Sequence, residues 1–113
     1  MRSAAAAHAR QQGWSDHELA DLRRAAKILW QHGLCLDTDG GVTDEGEPWY
    51  VFCDADSGEI VVHFARVDGQ YIACAPFRDG ALKGRVLHDV VDRFLHDRVA
   101  PWLNSDIHST PAA

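Results

Sequence analysis

The sequence predicts an α+β domain in which a helix, a three-stranded antiparallel meander and a second helix form a two-layer α/β sandwich. Three observations carry that prediction. Apolar residues recur at helical spacing on both sides of the middle of the chain. Between them lie three runs rich in aromatic and β-branched residues. Asp68-Gly69 separates two of those runs, and that dipeptide is a strong signal for a two-residue hairpin.

The first helix starts at a capping box, Ser15-Asp16-His17-Glu18, with Ser15 as N-cap and Glu18 reaching back to its amide. Trp14 and Leu19 are placed to form a hydrophobic staple across that start. Leu19, Leu22, Ala26, Leu29 and Trp30 make the apolar stripe, and Arg23, Arg24 and Lys27 fall largely opposite. Gly33 is the stop. An acidic, glycine-rich loop follows, from Asp37 to Pro48. Strands are expected over 49–54, 59–66 and 70–75, with Pro76 ending the third. The last helix is expected from near Gly80, with Leu82, Val86, Leu87, Val90, Val91, Phe94, Leu95 and Val99 on one side and Pro101 as its end. Residues 1–13 and 104–113 read as flexible tails around a single domain over 14–103.

At 113 residues, 46% hydrophobic and 25% charged, the chain has the composition of one globular domain rather than a disordered segment. Its formal charge of −6, without a dense Lys/Arg stripe, argues against a nucleic-acid partner. No apolar run approaches the roughly 20 residues that span a bilayer, so no membrane partner is expected. The N-terminus lacks the apolar core of a secretory signal, and a cytoplasmic location is the expectation. Cys35, Cys53 and Cys74 contain no CxxC spacing, and their odd number cannot close completely into disulfides; they read as reduced, buried, small hydrophobes.

The strands do not alternate apolar with polar, as a sheet with one wet face would. With both hairpin loops even in length, Val51, Cys53, Ile60, Val62, Phe64, Tyr71 and Ala73 share one face. Tyr50, Phe52, Val61, His63, Ala65, Ile72 and Cys74 share the other. Two helices cover one face of such a sheet comfortably. Either they split, one to each face, or the terminal segments shield one face, or an apolar face stays open as a place for a partner. The expected binding surface is therefore Tyr50, Phe52, His63, Ile72 and Cys74, with a homodimer as its simplest use.

Catalytic and metal chemistry find less support. Asp37, Asp39, Asp44, Glu45 and Glu47 could offer oxygens to Ca2+, but counting from Asp37 puts Gly41 at position five and Pro48 at position twelve, which fails the EF-hand spacing. Asp54, Asp56 and Glu59 ring the first turn like the acids of a nuclease hairpin, but Val61 stands where a lysine is needed. Phe52, His63 and Cys74 are expected side by side across the strands, two potential ligands or a nucleophile pair without a third member. Phosphate-binding loops and serine elbows are absent from the sequence, and no cofactor is expected. Trp49 and Trp102 flank elements, where tryptophan pins a terminus or anchors an interface.

In element order the chain resembles double-stranded-RNA-binding domains, yet its second helix opens with only Lys83 and Arg85 and continues with Asp89, Asp92 and Asp97. In charge, size and two-sided sheet it resembles small acidic secretion chaperones, which would imply dimerisation and the holding of apolar clients. The function expected from the residues is a small acidic non-enzymatic protein-interaction module (adaptor, chaperone-like or regulatory). The alternative is a Ca2+-binding protein or metal-dependent enzyme that uses the acidic loop of residues 37–47.

Overall fold

The computed structural model describes residues 13–76 and 79–109, with side chains described as far as Arg98. It is an α+β fold: α1 (Asp16–Gln31), β1 (Leu36–Val42), β2 (Pro48–Asp54), β3 (Ile60–Val67), β4 (Gln70–Cys74), β5 (Leu82–Gly84) and α2 (Leu87–Ser109). The strands form one antiparallel sheet in the order β1-β2-β3-β4-β5. The expected three-stranded meander is thus the centre of a five-stranded one. The acidic segment supplies β1, and the segment expected to open the last helix supplies β5. Local composition hid both: β1 contains two aspartates and two glycines, poor strand formers that hold only because Leu36 to Val42 pair residue for residue with Asp54 to Pro48.

Helix α1 starts as its sequence dictates. The Glu18 amide donates to Ser15 Oγ at 3.1 Å, and the Ser15 amide donates to Glu18 Oε1 at 2.7 Å. It ends in a Schellman closure, with the Gly33 amide on the Trp30 carbonyl and the Leu34 amide on that of Leu29. Leu19, Leu22, Ala25 and Leu29 are its buried side chains. Trp30, expected in that stripe, is 67% exposed instead, because the stripe turns through Ala25 to Leu29 and leaves its neighbour on the flank. Helix α2 begins at Leu87 and buries Leu87, Val90, Val91, Phe94 and Leu95. It continues through Pro101, which forgoes one ladder hydrogen bond, to Ser109. Residues 104–109, expected as tail, are therefore helical. The expected tail residues 1–12 and 110–113, and the side chain of Trp102, lie outside what is described.

Both helices pack on the same face of the sheet. A single buried cluster joins Leu22 and Leu29 of α1, Val90 and Phe94 of α2, and Phe52, Val62, Phe64, Ala73 and Leu82 of the strands. Phe52, Phe64 and Phe94 contact edge to face, with centroids 5.6 and 5.7 Å apart. Among the described residues, no helix packs on the other face.

Candidate functional site: the open face of the sheet

Which residues reach the open face is decided by one irregularity. The β3–β4 turn is a two-residue one, with Asp68 and Gly69 at φ of 52° and 76°, the positive pair that a type I′ turn requires. It keeps the expected pairing of His63 with Cys74 and of Ala65 with Ile72. The β2–β3 hairpin is different. Cys53 pairs with Ile60, but Phe52 pairs with Val62, so a bulge inserts one residue into β3. A one-residue slip exchanges the faces of a strand. Tyr50 and Phe52 therefore stand on the helix-covered side, Phe52 at 0% exposure, and the expected row of Phe52, His63 and Cys74 is corrected to Val51, His63 and Cys74.

Of the five residues expected to form the binding surface, the structure thus brings His63, Ile72 and Cys74 together on the open face. It sends Phe52 into the core and leaves Tyr50 half-buried against it on the covered side. Trp49, Val51 and Ala65 take their place there, all half-buried by their strand neighbours. Trp49 lies flat across β1: a Cβ built on Gly41 would come within 2.8 Å of its indole ring, so only glycine allows the ring this close. The sequence marked Trp49 as an anchor, but it did not reveal that Gly41 was its bed.

Two shallow apolar hollows adjoin at His63. One, of about 630 Å³, runs past Ile60, Cys74, Pro76 and Ala81. The other, of about 520 Å³, lies between Trp49, Ala65, Val67 and Glu47. The His63 ring sits 6.2 Å from that of Trp49. Burial pushes its pKa below the ordinary histidine value. The rim is charged asymmetrically. Asp37 and Asp39 are exposed on β1, paired with Cys53 and Val51 of this face, and Lys83 is exposed on β5, paired with Ile72.

The covered side is closed by polar contacts at one corner. Glu18 accepts hydrogen bonds from the Tyr71 hydroxyl and from Arg66, whose nitrogen is 3.3 Å away, and Arg66 lies 6.0 Å from the centre of the Trp14 ring. Burial opposes ionisation of Glu18, but Tyr71, the Ser15 amide and Arg66 outweigh it and hold the carboxyl below its usual range. Between the helices, Arg24 reaches Asp92 at 2.8 Å and His88 reaches Asp21 at 2.9 Å. The hydrogen bond to Asp21 and the charge of Asp92 raise the His88 pKa.

No family model, curated protein or solved structure matches this chain.

The remaining candidates do not assemble. Asp37 and Asp39 lie along a strand, Asp44 and Glu45 in a turn, and Glu47 beside Trp49; among the described residues no three of His, Cys, Asp and Glu converge as metal ligands. The Asp54 carboxylate accepts from the amides of Asp56 and Ser57, which makes it a turn-forming group. The cysteines are unpaired but not buried: Cys35 and Cys74 are exposed and Cys53 is intermediate, because the bulge puts Cys53 on the open side.

Proposed function

We propose that this protein is a small acidic, non-enzymatic interaction module whose working surface is the open sheet face centred on His63. The observation that supports the reading is the placement of the two described helices on one side of a sheet that is apolar on both. Contiguous apolar surface rimmed by charge is the usual mark of a protein-interaction site, and tryptophan is enriched among the residues that carry its affinity. A second copy of the chain is the first occupant, since the face is self-complementary, apolar at its centre, acidic at the β1 edge and basic at Lys83. An adaptor, chaperone-like or regulatory role would use the same surface. A cytoplasmic setting fits the three unpaired thiols. Among the described residues, no helix is long and apolar enough to cross a membrane.

The test is the solution mass of untagged protein by light scattering over a concentration series. A mass rising towards twice the chain's 12.5 kDa is expected. Ile72→Asp is expected to hold the mass at the monomer value while leaving the circular dichroism spectrum unchanged. A wild-type monomer at every concentration, or an Ile72→Asp chain that unfolds, removes the reading.

A further inference from the structure

Two identical sheets that pack face to face as an aligned sandwich around a twofold axis have two arrangements. The axis runs along the strands, which sets the β1 edge of each copy over the β5 edge of the other. Or it runs across the strands, which sets β1 over β1 and β5 over β5. In an aligned sandwich the hydrophobic contact differs little between the two, so the charged rims decide.

The rims of this chain are unequal. Asp37 and Asp39 point from β1 to the open side, as their pairing with Cys53 and Val51 requires, and both are exposed. On β5, Leu82 is buried and a Cβ on Gly84 would meet Val90 at 3.0 Å, so Lys83 between them faces the open side. With the axis across the strands, four aspartates would crowd one rim and two lysines the other. With the axis along the strands, Lys83 of one copy comes over Gly41 of the other, one pleat from Asp39 and within the reach of a lysine stem. We infer that the second copy docks with its twofold axis along β3, each acidic β1 edge lying against the Lys83-bearing β5 edge of the other copy.

This inference rests on the proposed self-association. Its geometry has a further consequence. β3 is the middle strand of five, so His63 and Ala65 lie at the axis, and Trp49 of each copy comes over β4 of the other, where Ile72 and Cys74 stand. Five strands about 4.8 Å apart and seven residues of about 3.3 Å give a face of roughly 500 Å². Two such faces bury roughly 1,000 Å², the lower end of specific interfaces, so the dimer is a reversible one.

Sedimentation equilibrium at low salt on the full untagged chain separates the arrangements. Four proteins suffice: wild type, Asp39→Asn, Lys83→Glu and the double variant Asp39→Lys/Lys83→Glu, which keeps the wild-type net charge. Asparagine retains the side-chain oxygen that accepts from the Gly40 amide at 2.8 Å, so the strand itself is undisturbed. Asp39→Asn is expected to weaken the dimer roughly two- to tenfold, Lys83→Glu to weaken it at least as much, and the double variant to restore it; all differences should shrink as salt rises. If Asp39→Asn tightens the dimer, or the double variant fails to restore it, the axis assignment is overturned while the self-association stands. A wild-type monomer throughout overturns both.

Discussion

The two faces of the sheet are made of similar apolar residues and end in opposite surroundings. Phe52, Val62 and Phe64 are fully buried, while Val51 and His63, one position along the same strands, stay partly exposed. Hydrophobicity alone does not separate them. Size does. The covered face carries Tyr50, Phe52 and Phe64, a chain of edge-to-face rings that ends on Phe94 of α2, and Tyr71, which stacks on Trp14. The open face carries valine, alanine, cysteine and isoleucine, with Trp49 laid flat rather than upright. A layer of helices needs rings that stand up from the sheet to fill the space beneath it; a surface that meets another flat surface does not.

The most direct way to break this contrast is to truncate neighbours on β2. Phe52→Ala is expected to lose about 3–5 kcal/mol by denaturant unfolding, since it empties the centre of the aromatic chain. Val51→Ala, next to it but facing outwards, should lose less than half of that. Equal losses would place the bulge elsewhere and return Phe52 to the row of His63. The same logic predicts that a charge at Phe52 unfolds the protein, whereas a charge at Ile72 leaves it folded.

A smaller effect is expected at Gly41. The added methyl of Gly41→Ala would press on the Trp49 ring at 2.8 Å, and the ring must lift from β1. Overpacking of this kind costs about 1–3 kcal/mol. In a Trp49→Ala background the same change should be nearly neutral, and a double-mutant cycle by thermal unfolding measures that coupling. A Gly41→Ala penalty that persists without the indole would assign the effect to backbone geometry instead.

How much of this could be read from the sequence follows from what each feature depends on. The capping box, the Asp-Gly turn and the central strands are encoded within a few residues, and the structure holds them where the sequence puts them. β1 and β5 are not encoded locally. Asp37-Thr38-Asp39-Gly40-Gly41 becomes a strand because β2 offers it a partner, and Leu82-Lys83-Gly84 because β4 does. The candidate site was half legible for the same reason. His63, Ile72 and Cys74 sit beyond a turn whose geometry the sequence specifies, whereas Tyr50 and Phe52 sit beyond a bulge that no residue type announces. Nor could Trp30 be placed on the flank of α1 without knowing how the helix is rotated against α2.

The smallest expected effect comes from two histidines that report the contrast with opposite signs. His63, on the open face, has its pKa lowered by burial. Over the window from that lowered value up to the ordinary value near 6.5, the unfolded chain binds more protons than the folded one. Stability contributed by neutral His63 is therefore complete above about pH 6.5 and lost as pH falls through the lowered value. His88, exposed on α2 where it bridges to α1, has its pKa raised by its hydrogen bond to Asp21 and the charge of Asp92, against the opposing charge of Arg24. Its contribution is complete below about pH 6.5 and disappears as pH rises through the raised value. Unfolding midpoints measured from pH 5 to 9 on dilute protein should show both. His63→Gln should flatten the acid limb of the wild-type profile, and His88→Gln the fall that begins above about pH 6.5, where the bridge between the helices is discharged. Should His63→Gln leave the acid limb as steep as before, the imidazole is solvated in the folded chain, and the hollow around it is wetter than its apolar lining implies.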